Sequence, residues 1–198
     1  MSTGLFNKRV GVLALQGDFE AHERALERAG ATPVQVRTAE ELNDIDGLII
    51  PGGESTTMLK LLHYMDLMEP LRAFAQTKPV FGTCAGAILL AKEVLSPAQE
   101  SFGVVDLTVE RNAYGRQIDS RVAQLSPTAS FEERAGAGNM EAVFIRAPII
   151  RRAGPGVNVL AEYEGDPVLV EQGHHLVATF HPELTQDARV HKLFLTKL

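Results

Sequence analysis

Residues 78–90 read KPVFGTCAGAILL and contain the only cysteine of the chain, Cys84. Two apolar residues before Gly82 indicate the end of a buried strand, and residues 87–93 have the composition of a helix. Glycines flank the cysteine as G-x-C-x-G, and a sharp strand-to-helix corner requires small residues on both sides. We therefore predict that the Cys84 side chain is exposed at the tip of this corner, where the start of the helix would stabilise a thiolate.

An isolated cysteine is more often a small buried apolar residue than a nucleophile. The flanking glycines bring the catalytic interpretation to about equal weight with that alternative. The catalytic interpretation of Cys84 therefore requires that a base and an oxyanion site be found elsewhere in the chain.

The chain on both sides of this corner alternates between apolar runs and helical stretches, which is typical of an α/β fold with a mainly parallel sheet. At residues 105–109 and 118–122, apolar and polar residues alternate with a period of two, which predicts half-exposed, antiparallel strands in the second half. A polar turn is predicted between them at residues 110–116, and a surface loop with one helical turn at residues 127–139. The predicted strands include residues 10–15, 33–36, 47–50, 80–81, 142–146, 157–161, 167–171 and 176–180, and the predicted helices residues 19–29, 58–65, 68–76, 87–93 and 186–198. No linker or repeat divides the chain, so we expect a single domain over residues 1–198.

Composition disfavours several classes of protein. A net charge of −6 over 198 residues argues against nucleic acid as a partner, because phosphate binding requires a basic surface. One cysteine permits no internal disulfide, and no apolar run reaches the roughly 20 residues of a membrane span. No signal-peptide segment precedes the first strand. We expect a cytoplasmic protein without a membrane partner.

The segment His181-Pro182-Glu183 supplies a candidate base at the end of the strand predicted at residues 176–180. A carboxylate two residues from an imidazole in extended chain can fix its tautomer, and the imidazole can then take the thiol proton. Among the other histidines, His22 is predicted to pack on an apolar helix face. The remaining ones are predicted to lie in a solvated turn (His174 and His175) or in helices without a suitable carboxylate (His63 and His191).

A second loop, at residues 51–57, follows the strand predicted at residues 47–50. Its paired glycines, Gly52 and Gly53, would let backbone N–H groups approach a ligand at the carboxyl edge of the sheet. The alternative is a simple tight turn. Ser55 is the predicted N-cap of the helix that follows.

Together, GTCAG at residues 82–86, HPE at 181–183 and PGG at 51–53 resemble the class I (triad) glutamine amidotransferases. Within that family, longer stretches are similar to the glutaminase subunits of pyridoxal 5′-phosphate synthases. These stretches are residues 15–17, 51–58, 81–86, 109–112, 114–117, 144–148 and 180–185.

The resemblance implies a three-layer α/β/α, flavodoxin-like fold and a role for each matching residue. The implied catalytic residues are Cys84 as nucleophile, His181 as general acid/base and Glu183 as its orienting carboxylate. The implied oxyanion hole consists of the backbone N–H groups of Gly53 and Ala85. The implied L-glutamine-binding residues are Gly53, Glu54, Ser55, Arg111, Ile145 and Arg146. For both arginines, simple surface solvation is the alternative.

The implied reaction is hydrolysis of L-glutamine to L-glutamate and ammonia through a γ-glutamyl thioester. Ammonia would pass to a separate pyridoxal 5′-phosphate synthase subunit for vitamin B6 biosynthesis, and the chain itself would need neither metal nor cofactor. Two alternatives stay open at this point. One is a glutaminase for another synthase, such as imidazole glycerol phosphate synthase, and the other is a non-catalytic glutamine-binding docking module.

Overall fold

The computed structural model describes residues 8–113 and 120–198. The strands are β1 (Arg9–Leu13), β2 (Thr32–Val36), β3 (Gly47–Ile50), β4 (Val80–Thr83), β5 (Ala91–Leu95), β6 (Val105–Glu110), β7 (Ser120–Leu125), β8 (Met140–Ile145), β9 (Ile149–Ala153), β10 (Asn158–Tyr163), β11 (Asp166–Gln172) and β12 (His175–Ala178). The α-helices are α1 (Phe19–Ala29), α2 (Ser55–Tyr64), α3 (Met68–Thr77), α4 (Ala85–Leu90), α5 (Ala129–Ala135) and α6 (Arg189–Leu195). Short 3-10 helices span Glu40–Asp44 and Pro182–Leu184.

The central sheet has the strand order β10-β11-β12-β4-β3-β1-β2. Strands β2, β1, β3, β4 and β12 pair in parallel, and β11 and β10 add antiparallel pairs at one edge. Antiparallel pairing recurs in the second half between β7 and β8 and between β6 and β9. The predicted mixed α/β architecture, with a mainly parallel central sheet, is confirmed.

Apolar side chains leave the central sheet on both faces. Along β3, Ile49 joins one core, which also contains apolar residues of α1, α5 and α6. Its neighbours Leu48 and Ile50 join the opposite core, with apolar residues of α2, α3 and α4. Strands covered on both faces are expected to be continuously apolar, as residues 47–50 are. Helices therefore cover both faces, which is the three-layer arrangement that the resemblance implied.

Three neighbouring parallel strands, β3, β4 and β12, end at the same edge of the sheet. Ile50 lies opposite Gly82, and Thr83 lies opposite Ala178. The segments that follow these strands carry the glycine pair, the cysteine and the histidine. The fold thus brings the three predicted functional segments to one carboxyl edge, where open α/β sheets bind ligands.

The helix predicted at residues 87–93 is wrong in its second half. Helix α4 ends at Leu90, and β5 follows immediately. Strand β5 pairs in parallel with β6, and its residues Ala91 and Val94 are buried. Lys92 and Glu93 favour a helix locally, but the pairing with β6 and the burial of the apolar residues outweigh that propensity.

Other predictions in the second half are corrected in part. Strand β9 was not predicted, and the single helical turn expected within residues 127–139 is the longer α5, which buries Phe131 completely. Strand β6 is more buried than a half-exposed strand: four of its six residues are buried, among them the polar Thr108. The polar turn predicted through Arg116 and the strand residue Ile118 fall at positions 114–119, outside the described residues.

Within residues 8–113 and 120–198, no helix has the length and apolar character needed to cross a bilayer. The longest of the helices given above, α1, has 11 residues, against the roughly 20 that a membrane span requires.

Candidate active site

Cys84 occupies a strained corner between β4 and α4. Its backbone angles are φ 49° and ψ −103°, and its N–H donates to the carbonyl of Ala178 at 2.9 Å. A methyl group on Gly82 would lie 2.6 Å from backbone atoms of Gly86, and one on Gly86 would lie 2.1 Å from the Ile50 carbonyl oxygen. Both glycines are therefore required by close backbone approach, as the G-x-C-x-G spacing predicts. A non-glycine residue at positive φ is a form of strain that concentrates at functional sites.

The Cys84 side chain is less exposed than the sequence predicts. The residue is only 6% exposed, and its Sγ lies 4.0 Å from the Ile145 carbonyl oxygen. The cysteine nevertheless lines an open cleft together with His181, so the thiol is accessible from that cleft. The alternative of an inert core cysteine does not fit a residue that lines a cleft.

His181 and Glu183 form a buried pair behind the cleft. Nδ1 of His181 lies 2.7 Å from Oε1 of Glu183, and both residues are at most 5% exposed. Burial alone would lower the pKa of the His181 imidazole, but its interactions with Cys84 and Glu183 raise that pKa to about 10. Burial likewise would raise the pKa of the Glu183 carboxyl, but the facing imidazoles of His22 and His181 lower it to about 2. At neutral pH the pair is an imidazolium and a carboxylate.

Gly52 packs closely against both His181 and Cys84. A methyl group at this position would lie 2.5 Å from Cε1 of His181 and 3.2 Å from Cβ of Cys84. Any larger residue would therefore push the histidine ring or the thiol out of place. This steric requirement for glycine adds to the backbone freedom that the sequence predicts for the loop.

The second carboxylate oxygen of Glu183 faces His22. Oε2 lies 3.4 Å from Nε2 of His22, and both side chains are 0% exposed. The same nitrogen lies 3.0 Å from Oγ1 of Thr83, and Nδ1 of His22 lies 3.0 Å from Nε2 of His191. The predicted packing of His22 on its helix is confirmed. Its contact with Glu183 was not predicted, because helical periodicity identifies a buried face but not the partner that the face meets.

The cleft has a volume of about 270 Å³ and opens in front of Cys84. Among its lining residues are all six of the predicted glutamine-binding residues, Gly53, Glu54, Ser55, Arg111, Ile145 and Arg146. Asn112 lines the cleft as well, and both Asn112 and Arg146 have positive φ, as does Cys84. Backbone strain thus recurs around one cavity.

The cleft carries fixed charges of both signs. Glu54 accepts hydrogen bonds from the N–H groups of Thr56 at 3.0 Å and Thr57 at 2.7 Å. Burial would raise the pKa of the Glu54 carboxyl, but these hydrogen bonds lower it to about 2. Nη2 of Arg111 lies 3.9 Å from Glu54 and donates to Oγ1 of Thr56 at 2.8 Å. A carboxylate and a guanidinium side by side match the ammonium and carboxylate groups of an amino acid.

Ser55 is not the N-cap of α2. Glu54 takes that position and caps the helix with its carboxylate, whereas Ser55 is the first helical residue. The Ser55 hydroxyl is buried and donates to Oε1 of Gln99 at 3.0 Å. Glu54 suits this position because an ionised carboxylate at a helix start accepts hydrogen bonds from the free N–H groups and complements the helix dipole.

The predicted oxyanion groups, the backbone N–H groups of Gly53 and Ala85, lie in the segments that follow β3 and β4. Gly53 has φ 141° and packs against Gln16, whose amide oxygen accepts from the N–H of Glu54 at 3.3 Å. Ala85 is the first residue of α4, where N–H groups have no partner inside the helix. Ala85 is buried and does not line the cleft, so only its backbone could act there.

The remaining histidines lie outside the cleft. The prediction of a solvated turn is wrong for His175, which is buried in β12, and burial lowers its pKa to about 4. His63 is exposed and lies 2.7 Å from Glu100. Across the described parts of the chain, no group of three or more acidic, histidine or cysteine side chains is arranged to hold a metal ion.

Known proteins resemble this chain over almost its whole length. A model of the SNO glutamine amidotransferase family matches residues 12–198. The pyridoxal 5′-phosphate synthase subunit PdxT of Solibacter usitatus is 71% identical over 191 residues, which are 96% of this chain and 100% of that protein. PdxT of Koribacter versatilis is 59% identical and covers 94% of each chain. A crystal structure of a glutamine amidotransferase has a TM-score of 0.85 and 48% identity, covering 95% of this chain and 97% of that one.

Proposed function

The chain belongs to the SNO glutamine amidotransferase family, and on that premise we propose how its residues carry out the reaction and what receives the ammonia. It hydrolyses L-glutamine to L-glutamate and ammonia as the glutaminase of a pyridoxal 5′-phosphate synthase. The observation that carries the mechanism is the 2.7 Å contact between His181 and Glu183 behind a cleft that Cys84 also lines.

The first half-reaction forms a thioester on Cys84. The thiolate attacks the side-chain amide carbon of glutamine, and the carbonyl electrons move onto oxygen. When the tetrahedral intermediate collapses, the carbon–nitrogen bond breaks and the His181 imidazolium gives its proton to the departing nitrogen. The raised pKa of His181 supports this role, because the ring holds a proton at neutral pH.

The second half-reaction returns the enzyme to its starting state. Neutral His181 takes a proton from water as that water attacks the thioester carbon. The carbon–sulfur bond breaks, glutamate leaves and the thiolate is restored beside an imidazolium. Glu183 keeps the ring oriented through both steps and stabilises its charged form.

Substrate recognition is assigned to the charges of the cleft. Arg111 binds the α-carboxylate of glutamine, and Glu54 binds its α-ammonium group. Gly53, Ser55, Ile145 and Arg146 complete the glutamine-binding set around these two groups. The position of all six residues along one cleft supports the assignment.

The oxyanion of the tetrahedral intermediate is held by the backbone N–H groups of Gly53 and Ala85. Two preorganised donors at this point supply much of the stabilisation in acyl-transfer enzymes. The free N–H at the start of α4 and the position of Gly53 at the cleft support the pair.

The partner is a pyridoxal 5′-phosphate synthase subunit, and no nucleic acid or membrane takes part. A net charge of −6 supports the exclusion of nucleic acid. Residues 1–198 act as one domain in the cytoplasm. A reduced thiol as nucleophile supports that compartment, because a reducing environment keeps it free.

Ammonia release from glutamine, measured with and without a pyridoxal 5′-phosphate synthase subunit, tests the proposal. We expect binding of the synthase to align the backbone N–H of Gly53. One such oxyanion donor stabilises the transition state by about 3 kcal/mol, so the rate of ammonia release should rise by up to roughly a hundredfold. The cyclase subunit of imidazole glycerol phosphate synthase is the matched control and should give no increase. Equal rates with and without the pyridoxal phosphate synthase would contradict the proposed activation.

Cys84→Ala shows whether the measured activity belongs to this cleft. The variant should lose more than about 99% of the activity, because loss of a nucleophile costs several factors of ten. Substantial residual ammonia release would exclude Cys84 as the nucleophile.

A further inference from the structure

We propose that His22 is a positioning residue for glutamine hydrolysis: its Nε2–H binds the second carboxylate oxygen of Glu183 and thereby fixes the orientation of the His181 ring. The inference rests on the proposed roles of His181 and Glu183. It assigns a positioning role to a histidine on α1 that does not itself line the cleft.

The first argument is that one oxygen of the buried Glu183 carboxylate lacks a hydrogen-bond donor. Oε1 is occupied by His181, whereas Oε2 has no hydrogen bond of ordinary length to any described residue. A buried carboxylate oxygen without a donor is costly, and an ionised one more so. The Nε2 of His22 lies 3.4 Å from Oε2, with both side chains shielded from solvent. A small closing movement would complete the hydrogen bond.

The second argument is the direction of the hydrogen bonds around His22. Burial lowers the pKa of the His22 and His191 imidazoles, the latter to about 3, so both rings are neutral and each carries one N–H. If His22 held its proton on Nδ1, the lone pair of Nε2 would face the Glu183 carboxylate. The proton therefore belongs on Nε2, where Thr83 and Glu183 can both accept it.

His191 fixes this tautomer from the other side. Its Nε2 lies 3.0 Å from Nδ1 of His22, and it donates to that nitrogen when His22 is protonated on Nε2. The remaining nitrogen of His191, Nδ1, is then an unprotonated acceptor. Within the described chain this atom has no hydrogen-bond partner, which costs less for a lone pair than for an N–H. This arrangement of protons gives Oε2 of Glu183 a donor and leaves Nδ1 of His191 with an unpaired lone pair rather than an unpaired N–H.

The hydrogen bonds around His22 connect the structural elements that must stay aligned for the reaction. His22 lies on α1 and His191 on α6, Thr83 directly precedes the nucleophile, and Glu183 lies in the 3-10 helix after the base. Hydrogen bonds among these side chains tie the nucleophile's strand to the carboxylate that orients the base. Partners of this outer kind orient a reacting group without touching the substrate.

If His22 only packed against its neighbours, the site would require a ring of suitable volume but no hydrogen-bond donor. The ring of Phe81 meets His22 edge-on at 6.2 Å and His191 at 5.7 Å, so an apolar ring could fill the same space. His22→Phe keeps an aromatic ring, somewhat larger than imidazole, and removes the donor. His22→Gln places an amide nitrogen near the position of Nε2 and keeps the donor.

Steady-state glutaminase kinetics of the full chain, with its synthase subunit present, separate the two roles. We expect His22→Phe to lower kcat about ten- to a hundredfold, in line with the loss of outer-shell orienting groups, with KM for glutamine changed less than about threefold. His22→Gln should recover kcat to within a few-fold of the wild type. His175→Phe is the matched control: it replaces another buried histidine, in β12, and should leave kcat unchanged.

The same change made in the Glu183→Ala background tests whether His22 acts through Glu183. Without the carboxylate, His22→Phe should have almost no further effect on kcat. An equal loss in both backgrounds, or a wild-type kcat for His22→Phe, would overturn the proposal. An inactive wild-type chain would instead contradict the proposed function, so the two failures are distinct.

A second pair of variants keeps the test decisive if His22→Phe does not fold. His22→Asn and His22→Gln are both polar and smaller than histidine, but only the glutamine amide reaches towards Glu183. The asparagine variant should have the lower kcat by about tenfold or more. Equal kcat values for the two folded proteins would overturn the proposal.

Discussion

The rim of the cleft (Glu54, Arg111 and Arg146) and the buried back wall behind it (His22, His181 and Glu183) hold carboxylates of equally low pKa by different means. Glu54 is exposed and is held ionised mainly by hydrogen bonds from the start of a helix. Glu183 is buried and is held ionised by imidazoles. The exposed Glu54 carboxylate at the rim is therefore available to a ligand, whereas the Glu183 carboxylate in the back wall is engaged by the His181 side chain. The proposed mechanism thus assigns glutamine binding to the rim and the proton transfers to the back wall.

The largest expected effect belongs to the back wall. His181→Ala should lower kcat roughly a hundred- to ten-thousandfold, the contribution of a general acid/base. Glu183→Gln keeps the shape but removes the charge, so the pKa of His181 should fall and kcat should drop by a smaller factor. Because the groups act as a unit, the double variant should be little worse than His181→Ala alone. Losses that multiply in the double variant would show that Glu183 acts independently of the ring.

The rim should change binding more than chemistry. Arg111→Gln removes the cation proposed for the α-carboxylate and should raise KM for glutamine about ten- to a hundredfold, the value of a charge-assisted hydrogen bond. Its kcat should stay within a few-fold, as steady-state kinetics can check. Arg152→Gln is the control, since Arg152 is an exposed arginine paired with Asp106 outside the cleft. A fall in kcat at unchanged KM would move Arg111 from the rim to the catalytic step.

The smallest effect concerns acid stability. Both carboxyl groups have a folded-state pKa of about 2, below the usual 4.5, so each stabilises the fold above pH 4.5. That stabilisation is lost as the pH falls from 4.5 towards 2. Solvent screens the exposed Glu54, so Glu54→Gln should alter this loss less than Glu183→Gln does. Urea unfolding midpoints at pH 7, 4.5 and 3 measure the difference, and equal pH profiles for the two variants would remove the distinction between rim and wall.

The raised pKa of His181 has the opposite pH dependence. Its contribution to stability is complete below pH 6.5 and is lost as the pH rises through about 10. The stabilising effects of His181 and Glu183 are therefore both complete only between about pH 4.5 and 6.5. The same unfolding series extended to pH 10 should show a decline in wild type that His181→Ala lacks.

Much of the fold could be predicted because the central strands are apolar on both faces and the helices alternate with them. The prediction failed at residues 91–95, where local helix propensity is good but the segment pairs with β6 as a strand. It also missed β9, whose two arginines conceal the strand pattern. In both cases pairing with β6, a separate strand, decided the structure, and the composition of the segment itself does not encode such pairing.

The sequence alone determined which segments of this protein we propose as catalytic, because glycine spacing, a histidine–proline–glutamate run and a strand-end glycine pair are each recognisable from local sequence. Only the tertiary structure decided that Glu54 rather than Ser55 caps α2, that His175 is buried and that His22 meets Glu183. Those outcomes depend on which side chains are brought together from distant parts of the chain. Burial and partner charges then set the pKa values of these groups, which no spacing of residues along the sequence can specify.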